Sequence, residues 1–268
     1  MTEAKSAASR PASVLVIGCL GRMGRAVIAA LAETPDLVYR YGLDLGASPE
    51  AAGGEVPVFS SVAAVPGDYD VAIEFTGAAA TADLIALLKR DRKPLVSAST
   101  GRSPEQTAAL EAAAAGVALF RSANFSLGIA MLQDLVARAA GRLWPLSDIE
   151  ILEEHHRHKL DAPSGTALAI ADRIQTALEE KTAEKLPLVH DRSSRHCARP
   201  REEIGMAVRR GGGIAGRHEV LFALPQENLR ISHEALDRSV FAEGAVQAAR
   251  FIVGKPAGFY SMEDLIRA

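Results

Sequence analysis

The sequence predicts an α/β protein with a Rossmann-like, doubly wound parallel sheet and a second, α+β domain. First, strand-like and helix-like segments alternate through the first half of the chain, which is the pattern of a parallel sheet. Second, a glycine-rich turn joins the first strand to the first helix. Third, a later series of strands has no helix between its members. At 268 residues the chain is long enough for two domains.

The alternation in the first half is regular. Short apolar runs predict strands at residues 14–17, 37–43, 69–75, 95–98 and 117–120. Helical patterns lie between them at residues 27–31, 79–89 and 104–116. The last of these helices begins with a capping box, because Ser103 precedes Pro104 and Gln106 follows three residues after Ser103.

The glycine-rich turn has the context of a dinucleotide-binding fingerprint. Gly18, Gly21 and Gly24 end the first strand and lead into the first helix. Glycine permits a tight turn, close approach of a pyrophosphate and close packing of the helix on its strand. Asp44 ends the next strand 20 residues after Gly24, where an acid binds the ribose hydroxyls of NAD. The spacing also fits an ordinary glycine turn beside a surface aspartate.

The other strands of this half end in similar loops. Because ligands bind at the carboxyl ends of strands in such sheets, these loops are expected to face the cofactor. They are short, small and polar, and they cover residues 18–24, 75–77, 98–101 and 122–125.

After a helix at residues 127–140 the pattern becomes that of an α+β domain. The elements expected there are a strand at 148–154, a helix at 166–180, strands at 204–208, 219–223 and 229–232, and a last helix at 241–253. Six arginines fall between Arg192 and Arg210, and three glycines follow them. This stretch is either a mobile basic loop that closes over an anionic substrate or a solvated loop.

The most informative segment joins a cationic cluster to the start of a helix. Residues 155–158 hold three of the seven histidines, and Lys159 follows directly. Ser164 is a good N-cap, so Gly165 and Thr166 would present backbone N–H groups at the positive end of the helix. Proton-donating side chains beside an anion-binding helix end suit chemistry on a small carboxylic acid.

Two other interpretations of this segment are a solvated basic loop and a zinc site. Only Cys19 and Cys197 can add sulfur ligands, and three histidines within four positions are closer together than zinc ligands usually are. The glycine turn upstream favours the catalytic interpretation, and we predict no metal site.

Composition excludes several classes of function. The net charge of −3 gives no reason to expect nucleic acid or an anionic membrane as a partner. Residues 1–11 lack an apolar core, so we expect neither a signal peptide nor an anchor there. Two cysteines 178 positions apart suggest no disulfide framework and fit the reducing cytoplasm.

Together these motifs resemble those of the 4-hydroxy-tetrahydrodipicolinate reductases, formerly called dihydrodipicolinate reductases, of bacterial lysine and diaminopimelate synthesis. The resemblance runs nearly end to end, through residues 18–24, 123–126, 154–159, 161–166 and 241–245. The histidine–lysine block is highly specific to that family, whereas the glycine loop is not. The resemblance implies NAD(P)H-dependent reduction of 4-hydroxy-tetrahydrodipicolinate, a small dicarboxylate, to tetrahydrodipicolinate.

The resemblance also implies a domain organisation. A dinucleotide-binding domain would cover residues 1–126 and be completed by residues 241–268. Residues 127–240 would form a substrate-binding and oligomerisation domain that builds a homotetramer.

The resemblance carries over position by position. His155 is expected to be the family's proton donor and acceptor, and Lys159 its proton donor. His156 and the backbone amides of Gly165 and Thr166 would contact the substrate. The expected cofactor positions are Gly18, Cys19, Leu20, Gly21, Arg22, Met23, Asp44, Ala98, Ser99, Thr100, Ser122, Ala123, Asn124 and Phe125.

Two departures from the family pattern matter for the cofactor. The family commonly has G-T-T-G where this chain has residues 98–101, with alanine and serine first. The ribose-binding acid is often followed by arginine in members that also use NADPH, but here Leu45 follows Asp44. Leu45, Gly46 and Ala47 supply no positive charge, so we predict that NADH is preferred and NADPH remains usable.

Two other functions share part of this pattern. A different Rossmann oxidoreductase acting on a small acid would share residues 18–44 but not the block at 155–166. A non-enzymatic NAD-binding protein would keep the cofactor loops and lack an intact set of proton donors. In this chain the set of proton donors is intact.

Overall fold

A computed structural model of the chain describes residues 10–46, 55–179, 181–182, 185–193 and 195–268. The chain divides into two compact units, one running to Phe125 and including Phe241–Ala268, the other spanning Ser126–Val240. The first unit ends one residue before the expected boundary, because Ser126 caps the helix that opens the second unit. The N-terminal segment 1–9, Ala47 and Glu180, which entered the sequence analysis, lie outside the described residues.

The first unit contains a parallel sheet. Its strands, numbered along the chain, are β1 (Ala12–Ile17), β2 (Leu37–Leu43), β3 (Val58–Phe59), β4 (Val71–Glu74), β5 (Leu95–Ser97), β6 (Ala118–Arg121) and β12 (Gly258–Tyr260). They lie in the order β12-β6-β5-β4-β1-β2-β3, and each pair is parallel. The order reverses direction between β1 and β4, and the carboxyl ends of strands at such a point form a ligand-binding crevice.

Helices connect these strands, and the fold class matches the prediction. The helices are α1 (Arg22–Ala32), α2 (Thr81–Asp91), α3 (Pro104–Ala113), α6 (Ser239–Ile252) and α7 (Met262–Arg267). The expected capping box is present at α3, where the Gln106 backbone N–H donates to Ser103 Oγ and the Ser103 backbone N–H donates to Gln106 Oε1. A 3₁₀ turn over Ala78–Ala80 precedes α2, where the sequence predicted one continuous helix.

The C-terminal segment completes the first unit. β12 pairs with β6, and the Phe251 ring of α6 packs edge-on against Phe120, with the centroids 6.1 Å apart. Gly244 packs so closely on the Phe125 carbonyl that a Cβ there would overlap it. β12, β3 and α7 were not predicted, since runs of two to six residues show no clear periodicity.

The second unit packs two helices on one face of a mixed sheet. The helices are α4 (Leu127–Leu143) and α5 (Gly165–Leu178), and the strands are β7 (Asp148–His155), β8 (Leu188–Val189), β9 (Ile204–Arg210), β10 (Gly216–Ala223) and β11 (Asn228–Ala235). The strand order is β11-β10-β7-β9-β8, with antiparallel pairs on the β10 side of β7 and parallel pairs on the other.

The face of the sheet beneath the helices changes from apolar to polar along β7. Ile149 and Ile151 are buried in the core with residues of α4 and α5. Because side chains two apart in a strand share a face, Glu153 and His155 continue this row. The core therefore ends in ionisable groups at the carboxyl end of β7.

None of the helices within the described residues is sufficiently long and apolar to cross a membrane.

Candidate active site

In the first unit, the glycine turn lies at the carboxyl ends of β1 and β4. Gly18 has φ +80°, and a Cβ there would overlap the carbonyl oxygen of Phe75. A Cβ on Gly24 would overlap the carbonyl oxygen of Gly18, so glycine is what lets α1 pack against the turn. Gly21 is the N-cap of α1 and supplies no side-chain cap, which leaves the first amides of the helix without a side-chain partner.

Asp44 lies directly after β2 and holds the glycine turn. Its Oδ2 accepts a hydrogen bond from the Leu20 N–H at 3.1 Å, and its Oδ1 accepts one from the Gly46 N–H at 3.3 Å. The carboxylate therefore lies beside the turn, as the fingerprint requires.

A cavity of about 360 Å³ lies between these elements. It brings together three of the expected cofactor residues, Gly18, Gly21 and Asp44, with the loop after β4. Its full lining is Gly18, Gly21, Asp44, Leu45, Gly46, Phe75, Thr76, Gly77, Ala79 and Ala80. The other expected cofactor residues are not among those that line it, and Cys19 is buried with its Sγ against Gly42.

The loops after β4 and β5 are joined by a buried carboxylate. Glu74 is 0% exposed and accepts hydrogen bonds from the side chains of Thr76 and Ser99 and, at 3.0 Å, from the Arg102 guanidinium. Burial alone raises the pKa of Glu74, but the bonds from Ser99 and Thr76 and the charge of Arg102 outweigh it, so the pKa is lowered. Ser99 therefore points inward, which its sequence position did not indicate.

The loop at residues 122–125 is closed on itself. Ser122 Oγ donates to the Asn124 carbonyl at 2.6 Å and accepts from the Asn124 N–H at 3.2 Å. Phe125 is buried against Phe75 and Phe120, with centroids 6.2 and 5.7 Å away. The loop is thus anchored beside the loop after β4.

In the second unit, His155 ends β7 and is held by Glu153. The distance from His155 Nδ1 to Glu153 Oε2 is 2.5 Å. Arg210 donates to both oxygens of Glu153, at 2.9 and 2.7 Å, and the Ser164 N–H donates to Oε1 at 3.0 Å. Burial lowers the pKa of His155, while the bond and charge of Glu153 partly offset this.

The residues after His155 form a turn that carries further cationic groups. The Lys159 N–H bonds the His156 carbonyl at 3.2 Å, and Lys159 Nζ lies 2.9 Å from Asp161 Oδ1. Arg238 Nη2 lies 3.2 Å from His156 Nε2. His158 is exposed, with its ring 6.3 Å from that of His156.

Helix α5 begins as the sequence predicted. Ser164 is its N-cap, and its Oγ accepts a hydrogen bond from the Ala167 N–H at 3.2 Å. Gly165 is exposed at the first turn. The bond from Lys159 lowers the pKa of Asp161, and the Gly165 amide contributes, so a carboxylate already lies near the positive end of this helix.

His218 is a functional candidate that the sequence analysis missed. It is 3% exposed on β10, its Nε2 lies 3.3 Å from Ser164 Oγ, and its ring packs against that of His155. Burial lowers the pKa of His218 to about 4, with the charge of His155 adding to the effect. It was detectable only as a polar residue on the inner face of a strand whose neighbours there, Val220 and Phe222, are buried.

Glu153 and Arg210 were also missed, although a glutamate in line with buried isoleucines was a signal for Glu153.

Several arginines of the arginine-rich stretch form ion pairs in the structure. Glu203 is 2% exposed and pairs with Arg192 and Arg195, and Arg199 bonds Glu150 at 2.8 Å. Within the described residues, no group of three or more potential ligand side chains is arranged for a metal ion.

Comparison with known proteins identifies the family of the chain. Residues 12–125 match the family described as "Dihydrodipicolinate reductase, N-terminus", and residues 128–266 match "Dihydrodipicolinate reductase, C-terminus". The chain belongs to the dihydrodipicolinate reductase family. The family predicted from the sequence is therefore confirmed.

Individual relatives cover almost the whole chain. The 4-hydroxy-tetrahydrodipicolinate reductase of Caldanaerobacter subterraneus is 41% identical over 254 residues, 95% of this chain and 98% of that protein. The reductase of the same name from Caulobacter vibrioides is 40% identical over 265 residues, 96% of this chain and 98% of the relative. A dipicolinate-bound dihydrodipicolinate reductase from Paenisporosarcina sp. TG-14 shares the fold, with a TM-score of 0.75 at 21% identity over 94% of this chain and 97% of that one.

Proposed function

We propose that this member of the dihydrodipicolinate reductase family catalyses the NAD(P)H-dependent reduction of 4-hydroxy-tetrahydrodipicolinate to tetrahydrodipicolinate in lysine and diaminopimelate synthesis. One observation carries the proposal. The histidine–lysine block that is specific to the family ends a strand at His155, whose ring bonds a buried carboxylate, and leads into the exposed start of α5. The residues proposed as proton donors and the helix start proposed to bind an anion therefore belong to the same unit.

The substrate is a cyclic dianion with two carboxylates, and the second unit offers matching groups. The amides of Gly165 and Thr166, at the positive end of α5, suit one carboxylate. His156, which lies beside the Arg238 guanidinium, suits a second contact. Lys159 lies between these two groups in the sequence and adds a cationic side chain, which pairs with Asp161 in the unliganded protein.

The reaction needs a proton as well as a hydride. Loss of the hydroxyl group as water leaves a conjugated imine, which accepts hydride, and one proton balances the negative charge that this adds. Lys159 is the proton donor in this proposal, and His155 donates or accepts a proton. Burial of His155 in the unliganded protein lowers its pKa, and a bound dianion counteracts this.

The first unit fits a dinucleotide. Gly18 and Gly21 put no side chain into the cavity, the α1 amides lack a side-chain cap, and the Asp44 carboxylate beside the turn suits the hydroxyls of a ribose. A bound nicotinamide dinucleotide supplies the hydride. Among its two forms NADH is the preferred one in this proposal, because Asp44 repels a 2′-phosphate and Leu45 supplies no compensating charge.

Two further features of the prediction belong to this proposal. The protein assembles as a homotetramer through its second unit, which sedimentation velocity would show as a species of four times the chain mass. It works in the cytoplasm, a compartment whose reducing conditions suit the free thiols of Cys19 and Cys197.

The decisive experiment is a coupled assay. The purified protein is mixed with NADH and the condensation product of pyruvate and aspartate semialdehyde, and NADH oxidation is followed by absorbance. Oxidation of NADH that requires both the protein and the condensation product supports the proposal. Tight NADH binding without turnover would instead favour the non-enzymatic NAD-binding protein, and turnover only with other small acids would favour a different oxidoreductase.

A further inference from the structure

We propose that Glu153 is a positioning residue for the reduction, which fixes the ring orientation and tautomer of His155 while it holds the start of α5. The inference rests on the proposed function, because it takes His155 as the group that exchanges a proton with the substrate. Glu153 itself is 0% exposed and points at the core side of the sheet.

The geometry of Glu153 is that of a fully bonded carboxylate. Oε2 receives His155 Nδ1 at 2.5 Å and Arg210 Nη1 at 2.9 Å. Oε1 receives Arg210 Nη2 at 2.7 Å and the Ser164 N–H at 3.0 Å. Four donors from three segments of the chain therefore converge on one buried carboxylate, and one of them is the ring of His155.

These donors keep Glu153 charged. Burial by itself raises the pKa of Glu153. The hydrogen bonds from Arg210, His155 and the Ser164 amide outweigh this effect and lower the pKa, so the carboxylate stays ionised near neutral pH. An ionised carboxylate can only accept hydrogen bonds, so His155 Nδ1 must carry the hydrogen. His155 Nε2 is then the nitrogen that can take up or release a proton.

Gly216, which has no side chain, lies beside the Nε2 atom of the His155 ring. A Cβ on Gly216 would lie 3.1 Å from His155 Nε2, so a larger residue there would crowd the nitrogen. The charged and titratable groups that face His155 from the surrounding elements are Glu153 on β7, Lys159 in the following turn, Arg210 on β9 and His218 on β10. Glu153 is the only one of these four with a negative charge, and it is the one bonded to the ring.

Glu153 also links His155 to the start of α5, which we propose binds an anion. Its Oε1 holds the backbone of Ser164, the N-cap of α5, and Arg210 Nη2 donates in addition to the Asp161 carbonyl at 2.6 Å. A shift of Glu153 would therefore move His155 and the α5 amides together. This coupling explains why the carboxylate lies between the two groups that the substrate must contact at once.

The test compares Glu153→Gln with the wild type in the coupled assay and by NMR of ¹⁵N-histidine-labelled protein. The glutamine amide can donate to His155 Nδ1, which favours the opposite tautomer with the hydrogen on Nε2. Removal of the charge also lowers the pKa of His155, so the limb of the kcat/KM profile that falls as pH rises should move to lower pH. We expect kcat to fall at least about tenfold, because losing the carboxylate that orients an active histidine costs up to about 10⁴.

Glu154→Gln is the matched control. Glu154 is the next residue of β7, is also buried, and pairs with Arg209 and Arg217 on the opposite face of the sheet. If Glu154→Gln has the same mass in solution as the wild type, it should keep the wild-type pH profile and the wild-type NMR signals of His155. Glu153→Asp, which restores the charge, should return the falling limb toward its original pH.

Several results would overturn the inference. If Glu153→Gln lowered kcat with the pH profile and the His155 tautomer unchanged, its role would be structural only. If the variant did not fold, the wild-type spectrum would still decide, since His155 protonated on Nε2 alone excludes the proposed bond. The spectrum needs no turnover, so a wild-type protein without reductase activity would refute the proposed function and leave the Glu153–His155 bond separately tested.

Discussion

The ring of His218 packs edge-on against the ring of His155, with the two centroids 5.2 Å apart. His218 Nε2 also lies 3.3 Å from the Oγ of Ser164, so His218 contacts both His155 and the N-cap of α5. Because two neighbouring cationic imidazoliums would repel, this packing favours the neutral form of His218. The arrangement packs a histidine that stays neutral at neutral pH against the histidine that we propose exchanges a proton with the substrate.

Stability should therefore fall as the solution is acidified. The folded-state pKa of His218 is about 4 against an ordinary value of 6.5, so between these values the unfolded chain binds more protons than the folded chain. The stability that this histidine contributes is complete above its unfolded pKa and is lost as pH falls toward the folded pKa. Going from about pH 7 to about pH 5 should cost about 2 kcal/mol through this group.

Denaturant unfolding of the wild type and His218→Gln at both pH values measures this effect. Glutamine retains a hydrogen-bonding group near Ser164 but does not titrate. The variant should lose about 2 kcal/mol less on acidification than the wild type does. Equal losses in the two proteins would show that His218 is not the group responsible.

The two proposed proton donors should be separable from their histidine neighbour. His155→Ala and Lys159→Ala should each lower kcat by about a hundredfold or more, the usual scale of general acid–base catalysis. His158 is exposed at the tip of the turn, so His158→Ala should have a far smaller effect. NADH affinity, measured by fluorescence titration, should stay nearly unchanged in all three.

The assignment of roles has a clear contrary outcome. It would be wrong if His158→Ala were as damaging as Lys159→Ala while both variants folded and bound NADH normally. A loss of NADH binding in His155→Ala would likewise contradict it, because the residues proposed to bind the cofactor all lie in the first unit.

How far the sequence predicted the site depended on the distance between partners along the chain. The glycine turn, Asp44 and the Ser164 cap are local patterns, and each was predictable from its own segment. The bonds that organise the second unit are not local: Arg210 and Glu153 are 57 positions apart, and His218 and Ser164 are 54 apart. No periodicity within one segment can indicate such a pair, so Glu153, Arg210 and His218 required the structure.

The buried pair in the first unit illustrates the same limit and allows a third prediction. Arg102 and Glu74 have side chains that are 4% and 0% exposed and lie 3.0 Å apart. Removing either partner leaves an uncompensated buried charge, so Arg102→Met or Glu74→Gln should destabilise the protein by about 3 kcal/mol. Unfolding experiments on the double variant should show a loss well below the sum of the single losses. Additive losses would mean that the two groups do not interact.

Cofactor preference should respond to a single added charge. Leu45 is 41% exposed and lines the cavity beside Asp44. Leu45→Arg places a guanidinium where a 2′-phosphate would lie, and one such bond should raise kcat/KM for NADPH by about tenfold. Leu45→Gln, similar in length but uncharged, is the control and should leave the ratio of the two cofactors unchanged. An equal gain in both variants would rule out the electrostatic explanation.

Binding of a dicarboxylate should draw a proton from solution. In the unliganded protein burial lowers the pKa of His155 below its ordinary value of 6.5. Two carboxylates beside the ring raise that pKa, so the complex holds more proton than its components at any pH between the free and bound values. Calorimetric titration of NADH-saturated protein with pyridine-2,6-dicarboxylate, at about pH 6.5 in buffers of different ionisation enthalpy, measures the uptake directly.

The observed enthalpy should rise with the ionisation enthalpy of the buffer, and the positive slope gives the protons gained. His155→Gln should reduce this slope, whereas His196→Gln, an exposed histidine outside the block at residues 155–166, should keep it. A slope of zero in the wild type, or an unchanged slope in His155→Gln, would mean that His155 does not gain the proton.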